Sequence, residues 1–460
     1  MKKFFVNYFI LILLLGLCSF FIFLCVKIHH KDFNPYRDSV EKIKKTGALR
    51  LITTNGINTY YQYNGDPSGF EYDLAREFAN FLNVDLDIIT PGWNNMVPFL
   101  EQGKGDFIAS GLAITKEKLE KVNFSIPYMT VQQRIIHHKL ILNPKNIEDL
   151  ANRIVHVRRG TSYHSRLKEI ETSGVKFNYI LHNNLPTEEL IRMVNTRQIK
   201  FTIANNTVAY LNQRHYPDIR VGIPLQKKEH LAWAVNKKDS HLLEQMNKFF
   251  LYANQTGLLK QISDKYYADI ENIDPFDLKK FHQRIRTRLP RYKKIIIEES
   301  MKYNFDWRLM AAAIYQESHF NSNAKSFTNV RGLMQLTMDT AEEMGIEDRL
   351  IPSQSIKAGI KYLDKMVKKF DYLKDDYEKI LFALASYNIG YGHVLDAIQI
   401  ARDMGMDETK WQNLKTTLPL LSKSKYYEKT RYGFARGWEP VQYIARILTY
   451  FDILKQKDIH

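Results

Sequence analysis

At 460 residues the chain has room for about three domains of ordinary size, and its 45% hydrophobic and 25% charged content excludes a disordered or fibrous protein. A formal net charge of +16 favours polyanionic surroundings, and nucleic acid, anionic lipid and the bacterial envelope all satisfy that number alone. Only two cysteines occur, Cys18 and Cys25, both in an N-terminal apolar run, so the folded body is expected to hold neither a disulfide nor a cysteine metal site.

Lys2 and Lys3 precede an apolar run from Phe4 to Val26, interrupted by Asn7 and Ser19. Such a run can cross a hydrocarbon layer of roughly 30 Å as a helix. Residues 1–30 therefore read as a signal peptide or a membrane anchor. No small-x-small cleavage site stands near residues 18–32, which favours the anchor. Cys18 is a poor lipid attachment point because Leu17 precedes it where a small residue is wanted.

From Gly47 the pattern alternates. Leu49 to Thr53 and Leu86 to Thr90 read as strands, with an amphipathic helix from Glu71 to Leu82 between them. Further strand-like runs at Phe107–Ala109, Ile154–Val157 and Phe201–Ala204, separated by helical stretches, predict a parallel-rich sheet built twice over. The phrases Gly69-Phe70-Glu71-Tyr72-Asp73-Leu74, Gly103-Lys104-Gly105-Asp106, Gly111-Leu112-Ala113-Ile114-Thr115 and Phe124-Ser125-Ile126-Pro127-Tyr128 resemble the periplasmic solute-binding proteins for amino acids. The resemblance implies an α/β two-lobed domain over residues 45–270. In that family a basic residue and a Gly-Thr turn hold the ligand carboxylate while an acid takes its amine.

Carried over position by position, the resemblance places Lys118 where arginine is usual. A point charge there replaces a bidentate fork. Gly160 and Thr161 keep the amide turn, and Asn206 falls where an acid is expected. Tyr60 and Tyr61 either stack on a ligand or simply cover the lobe. With the charge clamp altered, the expected ligand is a muropeptide or wall peptide, or none, in place of a free amino acid.

Residues 270–275 read as a turn entering a basic helix, Lys279 to Arg288, after which apolar spacing of three and four dominates. Helices are predicted over Ile356–Phe370, Tyr377–Ser386 and Val441–Tyr450, making residues 276–460 an all-α domain. Within it Glu317 shares a helical face with Ala313 and Leu309, flanked by Met310 and Ile314, so it replaces an apolar residue in a buried stripe. Burial and the negative end of the helix dipole both disfavour a carboxylate, and an acid that stays protonated near neutrality can protonate a leaving group. The alternative is a surface residue at a fraying helix end.

The strings Glu317-Ser318, Gly332-Leu333-Met334-Gln335-Leu336-Thr337 and Ala385-Ser386-Tyr387-Asn388-Ile389-Gly390 resemble the catalytic domain of soluble-type lytic transglycosylases, which have a lysozyme-like helical fold. Leu418-Pro419-Leu420-Leu421-Ser422 and Lys429-Thr430-Arg431-Tyr432-Gly433-Phe434-Ala435-Arg436-Gly437 resemble the subgroup of membrane-bound lytic murein transglycosylases F. The resemblance implies Glu317 as catalytic acid, with Ser326, Met334, Gln335, Tyr387, Asn388 and Tyr443 binding substrate. It implies cleavage of the MurNAc-GlcNAc β-1,4 bond with 1,6-anhydromuramoyl ends. As an isolated helical residue Tyr443 reads equally as core. Gly390 and Gly392 read as a helix cap, and Asp339, Glu342 and Glu343 as acids at a helix start.

Most glycosidases need two carboxylates, and no obvious second one accompanies Glu317, which suits a transglycosylase. No metal or other cofactor is expected, since the pairs His29-His30 and His137-His138 point apart on a helix or strand. Dispersed charge without a recognition motif argues against nucleic acid. The expected partners are peptidoglycan glycan strands, a wall peptide at the N-terminal domain, and a membrane on the periplasmic side of the bacterial envelope. The family implies a peripheral outer-membrane protein, whereas the long apolar N-terminus suggests an inner-membrane anchor. The rival functions are a non-catalytic peptidoglycan sensor and a lysozyme-type hydrolase.

Overall fold

The computed structural model describes residues 39–63, 66–175, 178–225, 228–267, 274–326 and 330–457. The apolar run with Cys18 and Cys25, the His29-His30 pair, and the turn expected at residues 270–273 lie outside the described residues. Among the described residues no helix is long and apolar enough to cross a membrane.

The chain divides into two compact units. The first combines Met1–Asn55, Glu71–Met129 and His230–Gln255. Its five-stranded sheet runs Asp85–Ile89, Ala48–Ile52, Phe107–Ile108, Ala234–Asn236, Val122–Phe124. The first three strands are parallel, and Ala234–Asn236 is antiparallel to both its neighbours. The expected strands and the helix, found at Phe70–Leu82, fall within a residue or two of the predicted bounds. Fully buried Trp233 anchors this core, its ring 5.1 Å from Phe107, 4.7 Å from Phe250 and stacked at 6.0 Å on Phe249. Beside it Glu71 is buried, accepting from the Gly111 N–H at 2.7 Å, from Trp233 Nε1 at 2.9 Å and from the Tyr128 hydroxyl.

The second unit holds Gly56–Phe70, Thr130–Glu229 and Thr256–His460. Its sheet runs Asn178–His182, Ile154–Arg158, Phe201–Asn205, Gln133–His138, Ile219–Pro224. The first three strands are parallel and Gln133–His138 is antiparallel to both neighbours. The sequence pattern changes from α/β to all-α near residue 270, whereas the packing gathers the second sheet and the helical half into one unit.

Aspartates start the helices of that half. Asp274, Asp306 and Asp375 each accept a backbone N–H at the first turn of Pro275–Thr287, Trp307–Ser318 and Asp376–Ile389. Asp274 with Pro275 opens the first of these earlier than Lys279, where basic composition alone put it. The predicted helices appear as Pro352–Lys368, Asp376–Ile389 and Trp438–Lys457. Gly390 ends the second of them with φ 93°, as expected of a cap, whereas Gly392 lies inside the next helix, where a Cβ would come 2.6 Å from the Tyr432 ring. One reading needs correction. The helix Met338–Met344 is so short that only Asp339 occupies its first turn, and Glu343 instead pairs with Lys365.

Removing the Glu71 side chain would take away the acceptor of the buried Trp233 and Tyr128 donors and of the half-buried Gly111 N–H. Glu71→Ala should therefore lose about 2–4 kcal/mol of stability in denaturant unfolding, with partial recovery in Glu71→Gln. A loss below about 1 kcal/mol would contradict this account of the first unit.

Candidate active site

The helix Trp307–Ser318 is buried from Leu309 through Tyr315, and three consecutive alanines, Ala311 to Ala313, keep its flank thin. The last helix, Trp438–Lys457, packs along it. His319 then turns left-handed at φ 54°, closing the helix through its N–H to the Tyr315 carbonyl at 2.8 Å. Glu317 thus sits in the final turn, close to the negative end of the helix.

Glu317 Oε1 accepts a hydrogen bond from the Tyr443 hydroxyl at 2.6 Å. The residue as a whole retains some exposed surface, but its carboxyl is closely surrounded by protein. Burial pushes its pKa up to about 7, opposed only in part by the Tyr443 hydrogen bond. No other charged group among the described residues contributes to that shift.

Tyr387 stands beside this pair. Its hydroxyl donates to the Met334 carbonyl at 2.7 Å, and its ring meets Tyr362 edge-on at 5.5 Å. Burial, then the charge of Glu317, holds the Tyr387 phenol well above its ordinary range, and the same two causes raise Tyr443.

The Gly332–Thr337 segment is pinned from several sides. Gly332 has φ 82°, and a Cβ there would lie 1.9 Å from the Arg349 carbonyl oxygen, so no other residue fits. The Met334 N–H donates to buried Ser355 Oγ at 3.2 Å, and Arg349 Nη1 reaches the Leu336 carbonyl at 2.7 Å. A Cβ on Gly359 would meet the Met334 side chain at 2.5 Å, so that glycine admits the methionine. Gln335, at φ 47°, spends its amide nitrogen on the carbonyls of Gly332 at 2.8 Å and Ala324 at 3.2 Å. Ser326 Oγ accepts the Val330 N–H at 3.3 Å. Asn388 lies exposed next to Tyr387.

The structure therefore bonds Glu317 to Tyr443 and Tyr387 to Met334, places Tyr387 within reach of the Glu317 charge, and ties Gln335 to the Gly332 and Ala324 carbonyls and Ser326 to Val330. Ser355, Arg349 and Gly359 were missed. Gly359 alone left a signal, as a small residue on the buried face between Ala358 and Ile360. Of the C-terminal aromatics, Tyr432, Phe434 and Trp438 remain exposed, while Tyr426 packs on the core and Tyr427 meets Phe434 edge-on at 5.6 Å.

In the first unit Lys118 lies on the short helix Lys116–Leu119, capped by Thr115. In the second, Gly160 has φ 74°, and Thr161 caps Ser162–Thr172 while donating to the Arg158 carbonyl at 2.7 Å. The Asn206 amide oxygen accepts the Gln132 N–H at 3.0 Å, joining helix to strand. Tyr60 is half-buried, its hydroxyl accepting from Gln62 Nε2 at 3.3 Å and its carbonyl from the Gly56 N–H at 2.9 Å, while Tyr61 lies on the strand Tyr61–Tyr63 and lines a chamber described below. Sequence reasoning missed Glu229, which accepts from Gln133 Nε2 at 3.0 Å and Ser162 Oγ at 3.2 Å. His137 and His138 are both buried, and no group of three metal-binding side chains occurs among the described residues.

Known proteins with this organisation exist. The bacterial extracellular solute-binding proteins, family 3, match residues 52–269, and the transglycosylase SLT domain matches residues 294–409. A solved ancestral amino acid-binding protein, a precursor of cyclohexadienyl dehydratase, covers 50% of this chain and 99% of its own at 28% identity and TM-score 0.46. Membrane-bound lytic murein transglycosylase F of Desulfosudis oleivorans is 49% identical over 93% of this chain and 94% of its own. The proteins of that name from Aeromonas hydrophila and Pseudomonas fluorescens are 35% and 36% identical over 92% and 90% of this chain, and 85% and 86% of their own.

A solute-binding-like α/β half followed by a helical SLT half defines a lytic transglycosylase with an appended binding domain. The chain is an enzyme of this class, and its family implies peptidoglycan as substrate. It belongs to the membrane-bound lytic murein transglycosylase F family, whose name marks a membrane-associated envelope protein.

Because the folded state holds the Glu317 proton to about pH 7, the buried carboxylate costs stability that is absent below its ordinary pKa and fully present above the raised one. Glu317→Gln carries no such cost. Its stability should match wild type near about pH 4 and exceed it near about pH 8 by about 1–3 kcal/mol. Thermal melts across that range check this, and a difference that fails to widen with pH contradicts it.

Proposed function

We propose that Glu317 is the single acid and base of a lytic transglycosylase that cuts the MurNAc-GlcNAc β-1,4 bond and leaves a 1,6-anhydromuramoyl end. The observation that carries this reading is the Glu317 carboxyl, pushed up to about 7 by burial, with the Tyr443 hydroxyl as its one hydrogen-bond partner among the described residues. Such a group is close to half protonated near neutrality, so it can donate a proton and then take one back.

In the first step the Glu317 carboxylic acid protonates the glycosidic oxygen, the C1–O bond of the MurNAc breaks, and the GlcNAc end leaves as an alcohol. The N-acetyl oxygen of the same MurNAc supports the developing charge at C1. In the second step the Glu317 carboxylate takes the proton of the C6 hydroxyl, O6 bonds to C1, and the acid is restored. No water is consumed. Tyr443 holds the carboxyl in place and stabilises its charged form. Tyr387 acts through Met334, holding the segment with Gln335 against the site. Ser326 and Asn388 contribute to the binding surface.

We further infer that the α/β half binds a wall peptide and modulates cleavage on the periplasmic side of the membrane. Its match to solute-binding proteins supports a ligand, and the point charge of Lys118 with the amide of Asn206 supports something other than a free amino acid. Any modulation requires the ligand to favour one of two arrangements of the chain.

Glu317→Gln should lower muropeptide release from purified sacculi by about 10²-fold or more, and wild-type products should be lighter than hydrolysis products by one water. Products of hydrolysis mass would make the enzyme a lysozyme-type hydrolase. Tyr443→Phe removes the bond that lowers the Glu317 pKa, so the alkaline limb of its pH–rate profile should move upward while the rate falls about tenfold. An unmoved limb would detach Tyr443 from the acid. Wall peptides should change the full chain's rate, and Lys118→Ala should weaken that response. Equal rates with and without bound peptide would leave the α/β half a localisation module.

A further inference from the structure

The second unit forms a partly open chamber of about 220 Å³ that shares no lining residue with the Glu317 site. Five pieces of chain far apart in sequence wall it, among them Tyr377 of the helix Asp376–Ile389. Tyr61 comes from the Gly56–Phe70 segment, Arg214 from the helix Asn206–His215, Lys265 and Tyr266 from the helix Leu258–Tyr267, and Phe451 and Lys455 from the last helix. A smaller pocket of about 60 Å³ shares Asp264, Lys265, Tyr377, Ala445 and Leu448 with it and is also lined by Leu381 and Trp411.

The chamber is far larger than the roughly 30 Å³ a water occupies. Its walls carry three cations, Arg214, Lys265 and Lys455, against two carboxylates, Asp264 and Asp452. Asp264 is matched by lysines outside the lining, whereas Asp452 is paired within it with Arg214. Asp264 accepts from Lys415 at 2.6 Å and Lys260 at 3.0 Å, and Asp452 lies 3.7 Å from His215 Nε2 and 3.9 Å from Arg214 Nη1. The field inside is therefore positive. The rings of Tyr61, Tyr266, Tyr377 and Phe451 form its aromatic walls, with Lys265 lying over Tyr266 at 5.3 Å and Lys455 over Phe451 at 4.8 Å.

We propose that this chamber is a second binding site, for a small organic carboxylate with a ring or short apolar body. The carboxylate faces the Lys265 and Lys455 side of the wall, and the body lies between the aromatic walls and extends toward Trp411. Two sources offer that chemistry, the C-terminal carboxylate of a wall-peptide fragment and the lactyl carboxylate of free N-acetylmuramic acid. The choice of these sources rests on the peptidoglycan reading, whereas the site itself does not. An occupant touches the last helix at Ala445 and Leu448, two and five residues past Tyr443, and so bears on the helix whose Tyr443 bonds Glu317.

Calorimetry on the full chain with N-acetyl-D-alanyl-D-alanine, its C-terminal amide and N-acetylmuramic acid tests this. At least one of the two carboxylates should bind, the amide should not, and whichever carboxylate binds names the source. Lys455→Glu should weaken that binding about tenfold or more by reversing a wall charge, and Ala445→Phe should abolish it by filling the chamber. If Ala445→Phe fails to fold, Lys455→Glu decides alone. The same binding should persist in Glu317→Gln, which separates this site from cleavage. Failure of both carboxylates to bind at millimolar concentration, or binding unchanged by the wall substitutions, would overturn the proposal.

Discussion

The hydrogen bond from the Tyr443 hydroxyl to Glu317 Oε1, 2.6 Å long, joins two helices whose partners stand 126 positions apart in the sequence. Its effect depends on what does not surround it. A lysine or arginine against this carboxyl would hold it ionised through the physiological range, whereas bulk water would return it to its ordinary value. A neutral phenol in a dense setting does neither. It fixes the orientation of the acid, lowers its pKa only in part, and leaves burial to set the balance near 7. The alanine flank of Trp307–Ser318 and the last helix packed along it make that setting possible.

Around this pair the chain spends its polar groups on holding backbone. Tyr387 fixes a carbonyl of the Gly332–Thr337 segment, Ser355 an N–H and Arg349 a second carbonyl. Gly332 and Gly359 clear the space that the segment and its methionine occupy. Residues whose types suggest contact with a sugar thus work first as supports. A support of this kind matters to catalysis through geometry, since displacement of a binding segment by about an ångström can cost as much as losing a contact.

How much of this was legible in the sequence depended on whether the signal was periodic or long-range. Glu317 interrupts an apolar stripe, so its burial was visible by counting helical steps from Leu309 and Ala313. The strands at 49–53 and 86–90 and the helices of the second half carried equally local patterns and appear within a few residues of expectation. The Tyr443 bond left no such trace, because an isolated tyrosine on a helix looks the same whether it packs or donates. Ser355 and Arg349 act on backbone atoms more than ten positions away, and nothing in their neighbourhood announces that. Glu342 and Glu343 misled because the distance from Gly345 back to Thr337 leaves fewer than three turns, so acids written as a helix start fall near its end. In the α/β half, Asn206 was read for the charge it lacks, whereas its amide is used to join helix and strand, and Glu229 supplies a carboxylate beside Ser162 that no motif marked.

The central claim is that one carboxyl, kept half protonated near neutrality by burial against the opposing Tyr443 hydrogen bond, performs both proton transfers. Titration of that group in the intact chain tests it most directly, as the difference in carboxyl infrared absorption between wild type and Glu317→Gln across pH. The account predicts a single carboxylic acid band that disappears with a midpoint near about pH 7. A midpoint near about pH 4.5, the ordinary carboxylate value, would mean that Glu317 is ionised when the enzyme works and would contradict the account.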